Sequence, residues 1–194
     1  KVINIATLKA ACVDCSLRGL CLPLGLDESG MCALEGTIKS RRKLKKGELL
    51  YRVGDSFRAL YAIRSGSTKT CEIAADGSVQ ITGFHLPGEL LGIDAISSGT
   101  HPCSAEALET AELCEMPLVK VEALAREIPG LQHQLFRLMS GQIRQDETLM
   151  LMLGKMTAEE RLASFLVNLH RRLSRLGVAG DHIRLSMSRQ DMGD

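Results

Sequence analysis

The sequence predicts an α+β protein: an antiparallel β-roll or jelly roll with helices after it. Three observations predict this. From Leu44 to about Pro117, short apolar runs are separated by glycine-containing turns. After Pro117 the apolar period changes from that of a strand to that of a helix. The strand–helix alternation that a parallel sheet needs is missing.

Taken in order, residues 1–26 are rich in Cys, Gly, Pro and Leu without a clear period, and read as an arm that a ligand must order. Residues 27–38 suit a short helix. KSRRKLKKGE (39–48) sets six basic residues among ten. With no interleaved aromatic to stack on bases, it reads as the solvated face of a strand entrance. The β runs are ELLYRVGD, ALYAIRSGS, TKTCEIA, SVQITGFHL and SAEALETAELCEM, with turns at Gly54-Asp55, Ser65-Gly66, Asp76-Gly77 and Pro87-Gly88. Asp76-Gly77, between two alternating runs, is the strongest hairpin signal. His85 reads as a turn cap.

VEALAREI (121–128) is a short helix stopped by Pro129 and Gly130, and a long helix follows from about Leu131 to Leu153. Thr157 and Glu160 form a capping box. The helix it opens carries Leu162, Phe165, Leu166, Leu169 and Leu173, and Gly177 is its stop. HIRLSM (182–187) suits a strand. Ser188 and Asp191 form a second capping box, so a further helix is expected from Arg189. Five residues remain beyond it, too few to hold a helix alone, so the chain is expected to stop inside a domain. Residue 1 is Lys rather than Met, so the natural start is expected upstream.

The 194 residues carry a net charge of +1, so bulk charge announces neither a nucleic acid nor a membrane surface. No apolar run is long enough to span a bilayer. Tryptophan is absent, and aromatics at 3% leave the core to aliphatic side chains. There is no secretory signal, and the cysteine count of seven is odd. A reducing, cytoplasmic setting is therefore expected, with thiols used for metal or redox chemistry.

Cys12, Cys15 and Cys21 crowd the arm as Cys-x2-Cys-x5-Cys. Soft thiolates select zinc, copper(I) or iron–sulfur clusters. A zinc ribbon would need a second short knuckle, whereas a run of thiols plus one distant cysteine suits an iron–sulfur loop. Cys32, Cys71, Cys103 and Cys114 could each complete the set, and spacing does not choose among them. On the long helix, Phe136, Ile143 and Met150 form one heptad series, and Met139, Asp146 and Leu153 the other. This a/d seam predicts a parallel homodimer. Across a two-fold axis Asp146 meets its own copy, and the like charges repel.

The stretches DCS, LCLP, LYAIRSG, QITGFHLPGELLG, AEALETAELCEMP, RLMSGQI, AEERLASFLVNL and RLSMSRQDMG span nearly the whole chain. In them the chain resembles the FNR-type (fumarate and nitrate reduction) regulators of the cyclic-AMP-receptor-like family. The resemblance implies an oxygen-labile 4Fe–4S cluster on Cys12, Cys15, Cys21 and Cys114, converted to 2Fe–2S by oxygen. Ser16 and Leu20 match positions beside the cluster, while Cys32, Cys71 and Cys103 match no ligand. It further implies a bacterial cytoplasmic activator, not an enzyme, that dimerises through Ile143, Asp146 and Met150 while the cluster is intact. The dimer would bind double-stranded DNA and engage RNA polymerase, with no membrane partner. The organisation it implies is a cluster-binding arm (1–26), a cyclic-nucleotide-binding-like roll (27–130), a dimerisation helix (131–155) and an incomplete winged helix-turn-helix (156–194).

The same residues admit three rival readings. A cyclic-nucleotide regulator would use PGELLG, but Cys103-Ser104 stands where such domains place Arg-Ser, so the phosphate would lack its cation. A structural zinc-thiolate knot remains open to metal analysis. A thiol oxidoreductase using Cys12 and Cys15 would need a helix opening beside a parallel sheet.

Overall fold

The computed structural model describes residues 2–3, 17, 19, 21–73, 77–177, 182–183, 185–188 and 191. The elements are β1 (Val2–Ile3), α1 (Glu28–Thr37), β2 (Ser40–Leu44), β3 (Leu49–Tyr51), β4 (Ala59–Ser65), β5 (Thr68–Ile73), β6 (Val79–His85), β7 (Leu90–Leu91), β8 (Ser104–Ala107), β9 (Ala111–Pro117), α2 (Leu118–Glu127), α3 (Pro129–Lys155), α4 (Ala158–Arg175) and β10 (His182–Ile183). Two antiparallel sheets, ordered β2-β9-β4-β7 and β3-β8-β5-β6, face each other as a jelly roll. Leu44, Leu50, Tyr51, Ile63, Leu91 and Leu113 fill the space between them.

The first sheet is covered on its outer face as well. Leu60, Ala62, Cys114 and Met116 pack there against Leu34 of α1, Val121 and Leu124 of α2, and Leu131 of α3. This explains β9. Side chains alternate across a strand, and here both faces are buried: Ala111 and Leu113 point into the roll, Cys114 and Met116 toward the helices. A third cluster seats Leu169 and Leu173 of α4 on Leu86, Leu108 and Met187. Arg172 of α4 fixes that seat by donating from Nε to Glu89 Oε1 at 2.9 Å.

Local signals account for most boundaries. Asp27 caps α1 by accepting from the Gly30 amide at 2.8 Å. The β5–β6 hairpin pairs Ile73 with Val79, and Gly77 takes φ +85° in its turn; Asp76 lies outside the described residues. Gly66, at φ +77°, joins β4 to β5, and a Cβ there would lie 2.5 Å from the Thr110 carbonyl oxygen, so only glycine fits. Pro129 opens α3, where a missing amide hydrogen costs nothing, so the helix begins two residues before Leu131. The Thr157–Glu160 box is present in full, with Glu160 Oε2 accepting from the Thr157 amide at 2.8 Å.

Four expectations change. SAEALETAELCEM is two strands, because the chain turns a corner at Leu108–Thr110 and passes from one sheet to the other. Among its described residues, HIRLSM is a strand at His182–Ile183, where it pairs in parallel with Val2–Ile3 of the arm, and not at Leu185–Met187. Beyond it the backbone bends, letting Ser186 donate to Glu109 Oε1 at 2.8 Å while Met187 enters the third cluster. Of the α4 stripe, Leu169 and Leu173 are buried while Leu162 and Leu166 stay exposed. His85 caps no turn: it ends β6, with Nε2 3.0 Å from Thr70 Oγ1, and burial holds its pKa below the usual imidazole value. Ser188 and Asp191 do cap each other, the Asp191 amide donating to Ser188 Oγ at 3.0 Å. Arg189, where the next helix was expected, lies outside the described residues.

Candidate functional site

Cys114 owes its position to β9. In register it sits between Ala62 of β4 and Arg41 of β2, on the face turned toward the helices. Cys21 reaches the same place from the arm. Its amide donates to the Leu17 carbonyl at 3.0 Å, and its own carbonyl accepts from Leu24 N–H at 3.1 Å, giving a compact turn. Leu22, fully buried, plugs the helix-side core beside it. Gln134 of α3, itself buried, donates from Nε2 to the Cys21 carbonyl at 3.2 Å. The arm is thereby tied to the first turns of the long helix.

Cys21 and Cys114, 93 positions apart by numbering (114 minus 21), line one cavity. Leu17, Leu34 and Met116 make its walls apolar, and Arg41 and Arg64 stand at its side. Its free volume is about 490 Å³ including the open mouth. Cys12, Cys15, Ser16 and Leu20 lie outside the described residues. Among the described residues, no three His, Cys, Asp or Glu side chains converge as a metal site.

The remaining cysteines lie elsewhere. Cys32 is exposed on α1 and Cys71 is half-buried on β5. Cys103 is buried inside the roll, where its thiol donates to Asp94 Oδ2 at 3.4 Å. Burial, then the Asp94 charge, pushes its pKa up to about 12, so it stays a neutral thiol. Tyr51 stacks on His101 with ring centroids 3.6 Å apart, and Phe57 meets His101 edge-on. Burial, then neighbouring Cys103 and Asp94, raises the Tyr51 pKa. These rings occupy the roll interior beside Gly92, at the end of PGELLG. Ser104 Oγ is used locally, accepting from the Val53 amide at 3.0 Å. The roll interior beside Gly92 is thus packed with rings, and the thiol near them is neutral.

On α3, Phe136, Ile143 and Met150 are 59%, 58% and 71% exposed. Large apolar side chains this open at heptad spacing mark a face built for another helix. Asp146 sits exposed in this face and accepts from Gln142 Nε2 at 2.9 Å. Sequence reasoning missed the two cavity arginines and Gln134. Arg41 was absorbed into a run of solvated charge, and Gln134 carries no motif; strand register and burial are what single them out.

A two-sheet roll, helices on its outer face and a long exposed-seam helix define a regulator of the cyclic-nucleotide-binding class. Residues 41–127 match the Cyclic nucleotide-binding domain family. The chain is 50% identical over 186 residues to the transcriptional activator protein Anr of Pseudomonas protegens, covering 96% of this chain and 76% of that one. It is 45% identical over 183 residues to the fumarate and nitrate reduction regulatory protein of Escherichia coli, covering 94% and 73%. Among solved structures, FixK2 from Bradyrhizobium japonicum superposes with a TM-score of 0.70 at 31% identity, over 79% of this chain and 75% of that one. The chain belongs to the FNR-type family of transcription regulators; of the two relatives, Anr is named a transcriptional activator and the Escherichia coli protein a regulatory protein. Among the described residues, no helix is long and apolar enough to cross a membrane.

Proposed function

We propose that this chain is the sensor and dimerisation part of an oxygen-responsive, DNA-binding transcription regulator working in the bacterial cytoplasm. A 4Fe–4S cluster on Cys12, Cys15, Cys21 and Cys114 would be its sensing group. The observation that carries the reading is the shared cavity of Cys21 and Cys114. The two residues, remote in sequence, line one cavity with mainly apolar walls, and soft sulfur donors there suit an iron–sulfur centre. Cys12, Cys15, Cys21 and Cys114 would hold the cluster, with Ser16 and Leu20 beside it, and the bound group would supply oxygen-labile iron–sulfur chemistry, a 4Fe–4S centre convertible to 2Fe–2S.

The protein's own residues carry the signal onward. A centre gripping the Cys21 thiol would act on a residue whose backbone carbonyl is tied to Gln134 of α3. The same helix presents Ile143, Asp146 and Met150 to a second copy. A cluster that binds the dimer-competent arrangement more tightly shifts the balance toward it. The dimer would then set two helix-turn-helix units, of which residues 156–194 are the beginning, on double-stranded DNA and engage RNA polymerase. The arm (1–26), roll (27–130) and dimerisation helix (131–155) divide the labour accordingly.

Anaerobic purification followed by iron, sulfide and zinc analysis tests the reading. About four irons and four sulfides per chain are expected. One zinc and no sulfide would replace the sensor with a structural knot.

A further inference from the structure

We propose that Arg64 and Arg41 are the cationic partners of the centre held on Cys21 and Cys114, Arg64 donating to it through its Nε hydrogen. The inference rests on the cluster reading above. Register places Arg41 directly beside Cys114 on one side and Ala62 beside it on the other, with Arg64 two residues further along β4. Both guanidinium side chains line the cavity that the two cysteines share.

Arg64 is the informative one. Its side chain is only 14% exposed, and Nη1 lies 3.4 Å from Glu112 Oε1. Its Nε is buried and has no hydrogen-bond partner among the described residues. A buried guanidinium donor left without an acceptor is costly, more so than a neutral one. A cluster on four thiolates is anionic, with sulfur atoms that accept hydrogen bonds, so it satisfies this donor and offsets the charge at once. Arg41, more exposed and 3.9 Å from Glu35, adds a second, screened positive charge.

Positive charge beside the centre favours its more electron-rich form and so opposes electron withdrawal by oxygen. The test compares the anaerobically reconstituted chain with its Arg64→Gln, Arg64→Lys and Glu112→Gln variants. It follows visible absorbance and released iron after exposure to air. Arg64→Gln is expected to lose its absorbance about fivefold faster than the parent, an order-of-magnitude figure for one partly screened charge. Arg64→Lys, which keeps charge but loses Nε, should fall between. Glu112→Gln should decay no faster than the parent, since it keeps the arginine and removes the negative charge paired with it.

An Arg64→Gln decay no faster than the parent's overturns the proposal. So does a Glu112→Gln decay as fast as that of Arg64→Gln, which would make the sheet ion pair the cause. If Arg64→Gln does not fold, Arg64→Lys decides: faster decay than the parent supports the proposal, equal decay overturns it. A parent chain that takes up no iron fails at the earlier step and removes the cluster reading itself.

Discussion

A Cys114→Ala chain is expected to leave anaerobic reconstitution with iron and sulfide at background. Cys32→Ala and Cys71→Ala should load like the parent. The reason is geometric. Cys114 opens onto the cavity that Cys21 reaches from the arm, whereas Cys32 lies exposed on α1 and Cys71 lies on β5 in the other sheet. On the proposed ligand set, removing one thiolate of four would take away a ligand that no neighbouring side chain replaces, since among the described residues Cys21 is the only other metal-ligating residue lining the cavity. The fold should survive. The substitution removes one sulfur from a core that still holds Leu60, Met116, Val121 and Leu131, a cost of about 1 kcal/mol. Thermal unfolding of the cluster-free chains checks this separately. Full loading of Cys114→Ala, or loss of loading in Cys71→Ala, would reassign the fourth ligand.

The second large effect concerns the seam. Asp146→Ala should dimerise without any cluster, where the parent stays monomeric. In a parallel pair the two Asp146 carboxylates come together among Ile143 and Met150, whose side chains are mostly exposed in the single chain. Like charges brought into an apolar seam repel by about 1–3 kcal/mol, so removing them strengthens the dimer about 5- to 150-fold. Sedimentation of cluster-free samples over a concentration series reads this directly. Asp146→Asn separates charge from size: it should also strengthen the dimer, though less, because its amide is still desolvated. A monomeric Asp146→Ala chain at every concentration would mean that the aspartate is not the barrier.

These effects differ in how far the sequence alone could foresee them. The roll was legible because glycine turns and two-residue alternation are local. Heptad spacing gave the α3 seam for the same reason, and so the position of Asp146 within it. The corner at Leu108–Thr110 was not legible. Residues on both sides of it are apolar, and only the packing of two sheets decides that β8 and β9 part there. Nor could alternation show that adjacent Leu113 and Cys114 are both buried, since that requires helices on the outer face of the sheet. The pairing of Val2–Ile3 with His182–Ile183 joins distant segments, one of them without any period.

The candidate site was legible as a set of thiols and silent as a place. Spacing gave Cys12, Cys15 and Cys21 a common task but left four cysteines open as the partner; only the family resemblance named Cys114. The cavity holding Cys21 and Cys114 supports that choice through register and burial. Arg64 shows the same limit from the other side. An arginine at the end of a strand reads as surface charge until the strand beside it is known. Only then does it emerge as lining the cavity that Cys21 and Cys114 share, with its Nε buried.

The most direct test of oxygen-controlled assembly is sedimentation of the loaded chain, first without oxygen and again after exposure to air, with the visible spectrum recorded on the same sample. A dimer that falls to a monomer as the cluster absorbance decays is the expected result. An unchanged mass while the cluster is lost would separate the cluster from dimerisation and leave the α3 seam without its switch.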